Sequence, residues 1–359
     1  MLLATCIFLI ALADDSHVVR HHCPADSLQA KELLAQHMSA FTWDADHHLN
    51  VAMNAMCKLV GGPQALANKT VLELGYGQAV VFGAIVRGLN AQSYNLDYSA
   101  TPWISSLHVP FYRKLHARLR EVAAAGTLGP HFNHRAAAAW SRSCGQQTDG
   151  VYVHVGTSEQ LQGVPDSTID FSVSNAVFEH IADAEATFAA LARVTRLGGV
   201  TCHQVDMRHH VNFSRPWDFL LIPETQWKAD YGIDHGNRLR LQEFLDAAHH
   251  QGWKTLSISV QAGPATAEAR AYASQTLHEL RQCTGCKYRN WPRYDLDGCT
   301  ANDMPIVGVY FCAEFVGKPA RSGKEKPLRG PCGEDNWSSP RNNRNPRTRF
   351  GGFNGLSCN

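Results

Sequence analysis

The feature that most constrains this chain is a strand that runs into two closely spaced glycines and leaves as an apolar helix. Thr70-Val-Leu-Glu-Leu74 reads as a short strand, Gly75-Tyr76-Gly77 interrupts it, and an apolar segment from Gln78 to Arg87 reads as a helix. Glycines at such a turn let backbone approach a ligand without a Cβ clash, and the helix start offers unpaired N–H groups to it. A second strand, Ser93–Leu96, ends at Asp97, from where an acid can reach the two hydroxyls of a ribose. The binding edge then lies outside the carboxyl ends of the strands. A dinucleotide-binding turn would want a further glycine at position 80, where Val80 stands, and apolar residues where Glu73 stands. Both differences point away from a nicotinamide enzyme.

The rest of the chain repeats the alternation. Further strands are expected at Val151–Val155, Ile169–Ser174, Val200–Val205, Thr255–Val260 and Ile306–Phe315, with Gly198-Gly199 turning the chain into the fifth. Helices are expected within 26–60, from Pro110 to Ala125, and where Ala184, Phe188, Leu191 and Val194 share one side. Strands alternating with helices imply an α/β fold: a doubly wound, Rossmann-like, mostly parallel sheet with helices on both faces. Domain organisation follows as a helical cap over 14–69 and a main domain over 70–316, with inserts near 98–150, 207–250 and 261–304. Residues 317–359 are rich in Gly, Pro, Asn, Arg and Ser, and are expected to be a disordered tail.

Composition excludes whole classes. At 44% apolar, 18% charged and a net charge of +1, the chain is neither wholly disordered, collagen-like nor a polytopic membrane protein. The near-zero net charge hides a tail of about +6 on a body near −5. Leu2–Ala13 is an apolar run, too short at ~1.5 Å per residue to span a ~30 Å hydrocarbon core. It fits a signal segment, although it lacks a basic start, as well as it fits a buried first helix. A cytoplasmic location is slightly favoured, with secretory entry as the alternative. The 11 cysteines show no repeated spacing. Cys57 and Cys202 read as small buried apolar residues, and Cys283-x-x-Cys286 lacks the second pair that a zinc site would want.

Several motifs in order resemble the class I S-adenosylmethionine-dependent methyltransferases. VLELGYGQA is similar to the family's first motif and NLD to its ribose-binding acid. GTSEQL and PDSTIDFSVSNAVFEHI resemble its third-strand loop and fourth strand, and LARVTRLGGV its glycine turn into strand five. NRLRLQEFLDAAHHQGW resembles the helix and turn before strand six. The resemblance implies an antiparallel last strand and S-adenosyl-L-methionine as the methyl donor. It also implies site roles. Gly75, Tyr76 and Gly77 would face the methionine part, with Glu73 orienting the loop or the amino group. Asp97 would hold the ribose, Tyr98 pack on the adenine, Ser158 and Glu159 meet the adenine, and Asn175 line the sulfonium side. Thr157 and Ala79 depart from the common pattern.

Methyl transfer from a sulfonium is an in-line displacement, in which the protein positions two reactants and removes a proton if the acceptor is a hydroxyl. His180, just past strand four, and Asp206 with His210, just past strand five, emerge at one edge and are the candidate catalytic groups. Asp206 with His209 or His210 could instead take a divalent metal, but the further carboxylates are not evident nearby, so no metal ligand is assigned. Val211–Phe219 and Trp227 would form part of a lid suited to a polar acceptor. The expected reaction is transfer to a polar small molecule or a sugar (glycan) hydroxyl. The alternatives are N- or C-methylation of a lipid or quinone-like acceptor, or a non-catalytic cofactor-binding protein. The segment Ser174-Asn175-Ala176-Val177 lacks the signature of amino-methylating nucleic-acid enzymes.

Overall fold

The computed structural model describes residues 43–59, 62–99, 102–231, 235–262, 267–287 and 306–317, with Cys23, Asp26, Leu28 and Glu32 before them. The apolar start at 2–13 and the tail beyond 317 lie outside these residues, as does most of 26–42. A seven-stranded sheet organises the chain: β1 (Thr70–Leu74), β2 (Gln92–Asp97), β3 (Val151–Val155), β4 (Ile169–Asn175), β5 (Thr195–Asp206), β6 (Trp253–Ala262) and β7 (Ile306–Phe315). Its order is β3-β2-β1-β4-β5-β7-β6. β1 to β5 pair in parallel, whereas β7 runs antiparallel to both β5 and β6. The mostly parallel sheet with a reversed last strand is the one expected.

The pleat of β1 sorts its side chains. Val71 belongs to the core under α1 (Ala45–Leu59), α2 (Val81–Gly88) and α3 (Ser105–Ala124), and Leu72 and Leu74 to the core on the other face. That second core is closed by α6 (Ala184–Val194) and α8 (Leu241–His250), which follow the short helices α4 (His134–Ala137) and α5 (Ala139–Arg142) and then α7 (Glu224–Asp230). The insert between β2 and β3 therefore shares a core with the sheet, since Phe111, Tyr112, Leu115 and Leu119 of α3 pack with Ile85 and Val173.

A third, small core holds the insert after β5. Trp217, Phe219, Leu220 and Trp227 pack with Leu280 of α9 (Ala267–Gln282) and Val307. The aromatic residues expected in a lid are thus mostly core, whereas Val211, Asn212, Phe213, Ser214 and Arg215 at the start of that run are exposed.

Three cysteine pairs correct the sequence reading. Cys202 faces Cys312 across β5 and β7 and is bonded to it, and Cys23 bonds to Cys144 in the first insert. Cys283 bonds to Cys286, which removes that pair from any metal role, and Cys57 is disulfide-bonded as well.

Candidate active site

The first-motif turn has the backbone that its glycines foreshadow. Gly75 and Gly77 adopt φ of +71° and +65°, the left-handed region. A Cβ on Gly75 would lie 2.2 Å from Val177 Cγ2, so the backbone here is pressed against the end of the β4 turn. Asp97 secures the loop from β2: its Oδ2 accepts from the Gly77 amide at 3.0 Å and its Oδ1 from the Ser99 amide at 3.3 Å. Burial raises the Asp97 pKa, and the amides of Gly77, Ser99 and Tyr98 oppose that rise.

Glu73 lies under the turn, where its Oε2 has no hydrogen-bond partner among the described residues. Burial, with the Asp97 charge adding to it, pushes its pKa up to about 8. A buried carboxyl with an unused oxygen is suited to a cationic ligand such as the ammonium of an amino acid. The donor set and the glycine cradle together fit the methionine end of the expected cofactor.

The other expected contacts are placed as follows. Tyr98 is 78% exposed at the end of β2, free to cover a ring from the solvent side. Asn175 is exposed at the end of β4. Ser158 is 3.2 Å from the Thr187 hydroxyl. Glu159 accepts from the Ala182 and Asp183 amides at 2.9 and 3.2 Å, so its carboxylate braces the loop after β4. Beside Tyr76 and Gln78 a cleft of about 210 Å³ is lined also by Trp103, His108, Trp140 and Val155. His108 Nε2 lies 3.1 Å from the Gln78 carbonyl and Trp103 stacks on its ring, tying the first insert to the cofactor turn.

The candidate catalytic groups meet at the next strand ends. After β4, Ala176 takes φ +53° and Phe178–His180 forms one 3₁₀ turn. The rings of His180 and His210 lie 4.9 Å apart. Burial lowers the His210 pKa, and the His180 charge lowers it further. Asp206 is committed: Arg208 Nε reaches both its oxygens, at 2.9 and 3.2 Å, and Arg208 Nη2 adds a third contact at 2.5 Å. That carboxylate therefore fixes a cation beside the histidines rather than standing free as a base. His203, on the same strand, is a core residue: Ser174 and Thr201 hold its two nitrogens at 2.8 and 2.6 Å, and burial pushes its pKa down to about 3.

Two residues escape sequence reasoning. Glu179 is buried, Oε1 accepts from the Asp206 amide at 3.2 Å, and Oε2 has no hydrogen-bond partner among the described residues. Asn237 clamps this turn through Nδ2 to the Phe178 and Ile181 carbonyls, at 2.8 and 3.0 Å. The signal for Glu179 was the Glu-His pair directly after a strand that ends at the cofactor edge.

Residues 115–202 match the family model of a methyltransferase domain, from within α3 to within β5. The match lies inside the sheet whose first two strands carry the Gly75–Asp97 turn, and over these residues the chain is similar to methyltransferase domains. The family match takes in the β3 loop, β4 with the Glu179-His180 pair, and the turn into β5. No curated protein sequence matches the chain at a significant level. Solved structures similar to this chain include a chain of the Haloferax volcanii complex between the Trm112 methyltransferase activator and a methyltransferase. It is 15% identical over 80% of this chain and 93% of that one, with a TM-score of 0.37. Geranyl diphosphate C-methyltransferase from Streptomyces coelicolor A3(2), bound to S-adenosyl-L-homocysteine, is 12% identical over 74% and 80%, with a TM-score of 0.39. Phosphoethanolamine N-methyltransferase 2 of Haemonchus contortus is 14% identical over 73% and 52%, with a TM-score of 0.38. Among the described residues no helix is long and apolar enough to cross a membrane.

Proposed function

We propose that this methyltransferase acts on a hydroxyl of a polar small molecule or sugar, with His180 and His210 handling the acceptor proton. The carrying observation is the 4.9 Å approach of these two rings, from separate strand ends, at the edge where the cofactor turn also opens. Bound S-adenosyl-L-methionine supplies an electrophilic methyl carbon. Glu73 would hold its ammonium, Asp97 its ribose, and the Gly75–Gly77 backbone its carboxylate end. Tyr98, Ser158, Glu159 and Asn175 surround the same strand ends, through which the adenine and the sulfonium side would be contained. His210, kept neutral by burial and by its neighbour, is in the form that accepts a proton at pH 7. Asp206 and Arg208 set a fixed dipole beside the pair, and Phe213 covers Arg208 at 4.5 Å. Charged and imidazole groups around the acceptor position favour a hydroxylated metabolite over a quinone or lipid tail.

The cysteine pairs bear on location. Disulfides persist in oxidising compartments, and bonds at Cys23–Cys144, Cys202–Cys312 and Cys283–Cys286 support secretory entry over the slightly favoured cytoplasm.

The test is methyl transfer from labelled cofactor to a panel of polyols, sugars, phenols, amines and isoprenoid acceptors. His180→Ala and His210→Ala should lower turnover by about 10²–10⁴-fold while S-adenosylhomocysteine affinity stays near wild type. Transfer to amines or carbon alone would replace the hydroxyl reading. Cofactor binding without turnover on any acceptor class would support a non-catalytic protein.

A further inference from the structure

We propose that Glu179, His180 and His210 form a binding site for a divalent transition cation that holds and activates the acceptor hydroxyl. One ligand atom from each of the three side chains lies within 4.8 Å of the other two. At bond lengths of about 2.0–2.2 Å, ligand atoms around one ion sit roughly 3–3.5 Å apart, so rotamer adjustments of about 1 Å close the site. Two imidazoles and one carboxylate, with coordination positions left for an incoming ligand, form a donor set that suits zinc, iron(II), manganese or cobalt better than magnesium or calcium.

Three further observations support it. Glu179 is a buried carboxylate whose Oε2 has no partner among the described residues, an arrangement that costs free energy unless a cation satisfies it. The backbone around the ligands is also held: the Asp206 amide donates to Glu179 Oε1, and Asn237 clamps the turn on both sides of the Glu-His pair. The competing cation, Arg208, is neutralised by Asp206.

The use of the cation rests on the methyl-transfer reading above, whereas its binding does not. With the ion bound, His180 and His210 would act as its ligands rather than as the base, and an acceptor hydroxyl in an open coordination position would have its pKa lowered and give its proton to water. Its oxygen then forms the new O–C bond to the methyl carbon. The C–S bond of the sulfonium breaks, and its electron pair stays on sulfur as the neutral thioether.

Full-length protein is stripped with a chelator and titrated with Co²⁺ and Zn²⁺ by calorimetry, and the Co²⁺ form by visible absorption. The expected result is one equivalent bound, with a ligand-field band, and binding at least tenfold weaker in Glu179→Gln and in His210→Asn. S-adenosylhomocysteine affinity, measured on the same samples, should be unchanged and reports that each variant is folded. Absence of stoichiometric binding in the wild type overturns the proposal, as does equal binding in both variants, which would place the ion on another of the 19 histidines. Binding of Mg²⁺ in preference to Co²⁺ and Zn²⁺ overturns the imidazole site. Cation binding without methyl transfer to any hydroxyl would leave the site standing and remove the hydroxyl reading.

Discussion

The Asn237 amide nitrogen donates to the Glu179 carbonyl at 2.6 Å, which joins the segment before α8 to the turn that carries the Glu-His pair. Asn237 Nδ2 holds the Phe178 and Ile181 carbonyls as well, so one residue fixes three points of that turn. It touches no reacting atom and acts as a positioning residue. Asn237→Ala should lower kcat about tenfold or more, because small misplacement of a catalytic group is costly, while S-adenosylhomocysteine affinity stays within about twofold. Asn237→Asp keeps one acceptor but loses the Nδ2 donors, and should resemble the alanine variant. Equal loss of cofactor affinity and turnover in both would mean that the residue supports the whole fold instead.

The cofactor turn makes a sharper prediction. Gly75→Ala places a Cβ 2.2 Å from Val177 Cγ2 at φ +71°, and the β-branched valine has no long chain with which to retreat. The turn must shift, and Val177 leads directly into His180. Affinity for S-adenosylhomocysteine should fall by more than about tenfold, or ~1.4 kcal/mol, and Asp97→Ala should do the same by losing the proposed ribose contact and the hold on Gly77. Titration calorimetry on folded variants checks both. Wild-type affinity in the two together would move the binding site elsewhere.

Much of this site was legible because its chemistry coincides with local pattern. Thr70–Leu74, the glycines and Asp97 announce a strand, a turn and a strand-end acid by residue type alone, and in the structure they are β1, the loop after it and the last residue of β2. The helix after the turn starts later than its apolar run, at Val81, because Gln78 and Ala79 belong to the loop that His108 grips through the Gln78 carbonyl. Glu179 was hidden because a charged residue after a strand reads as solvated, whereas here it is buried and its carboxylate meets the Asp206 amide from the next strand. Asn237 was hidden for a similar reason: its partners lie 56 and 59 positions away. Cys202 read correctly as buried, but pairing across 110 residues depends on the β5–β7 register, which no spacing encodes.

Glu73 predicts a pH dependence. Its pKa is raised in the folded state to about 8 from an ordinary value of 4.5, so the folded protein binds more protons than the unfolded chain between those values. The stability that this group contributes is complete below its unfolded pKa and is lost as pH rises through the folded one. Thermal melts of cofactor-free protein should therefore show a Tm that declines from about pH 5 to 8. Glu73→Gln, which mimics the protonated side chain, should flatten that decline, and should weaken cofactor binding at pH 8 by removing the carboxylate proposed to hold the ammonium. An unchanged slope in the variant would assign the pH dependence to other groups, with Glu179 the first of them because its pKa is raised in the same direction.

The Cys202–Cys312 bond makes the last prediction. Both residues are buried in the centre of the sheet, directly opposite one another where β5 meets the reversed strand β7. The bond closes a long loop that contains α7, α8, β6 and α9, so it restricts the unfolded chain over much of the second half of the domain. The Cys202→Ala/Cys312→Ala double variant should lose about 2–4 kcal/mol of stability in urea unfolding. Reductant should destabilise the wild type by more than it destabilises the variant, which has only the other disulfides, among them Cys23–Cys144 and Cys283–Cys286, to lose. Protein made in an oxidising compartment should resist alkylation at both positions until it is reduced, as read by peptide mass. Free thiols at 202 and 312 in natively folded protein would remove the bond, and with it the strongest support for an oxidising location.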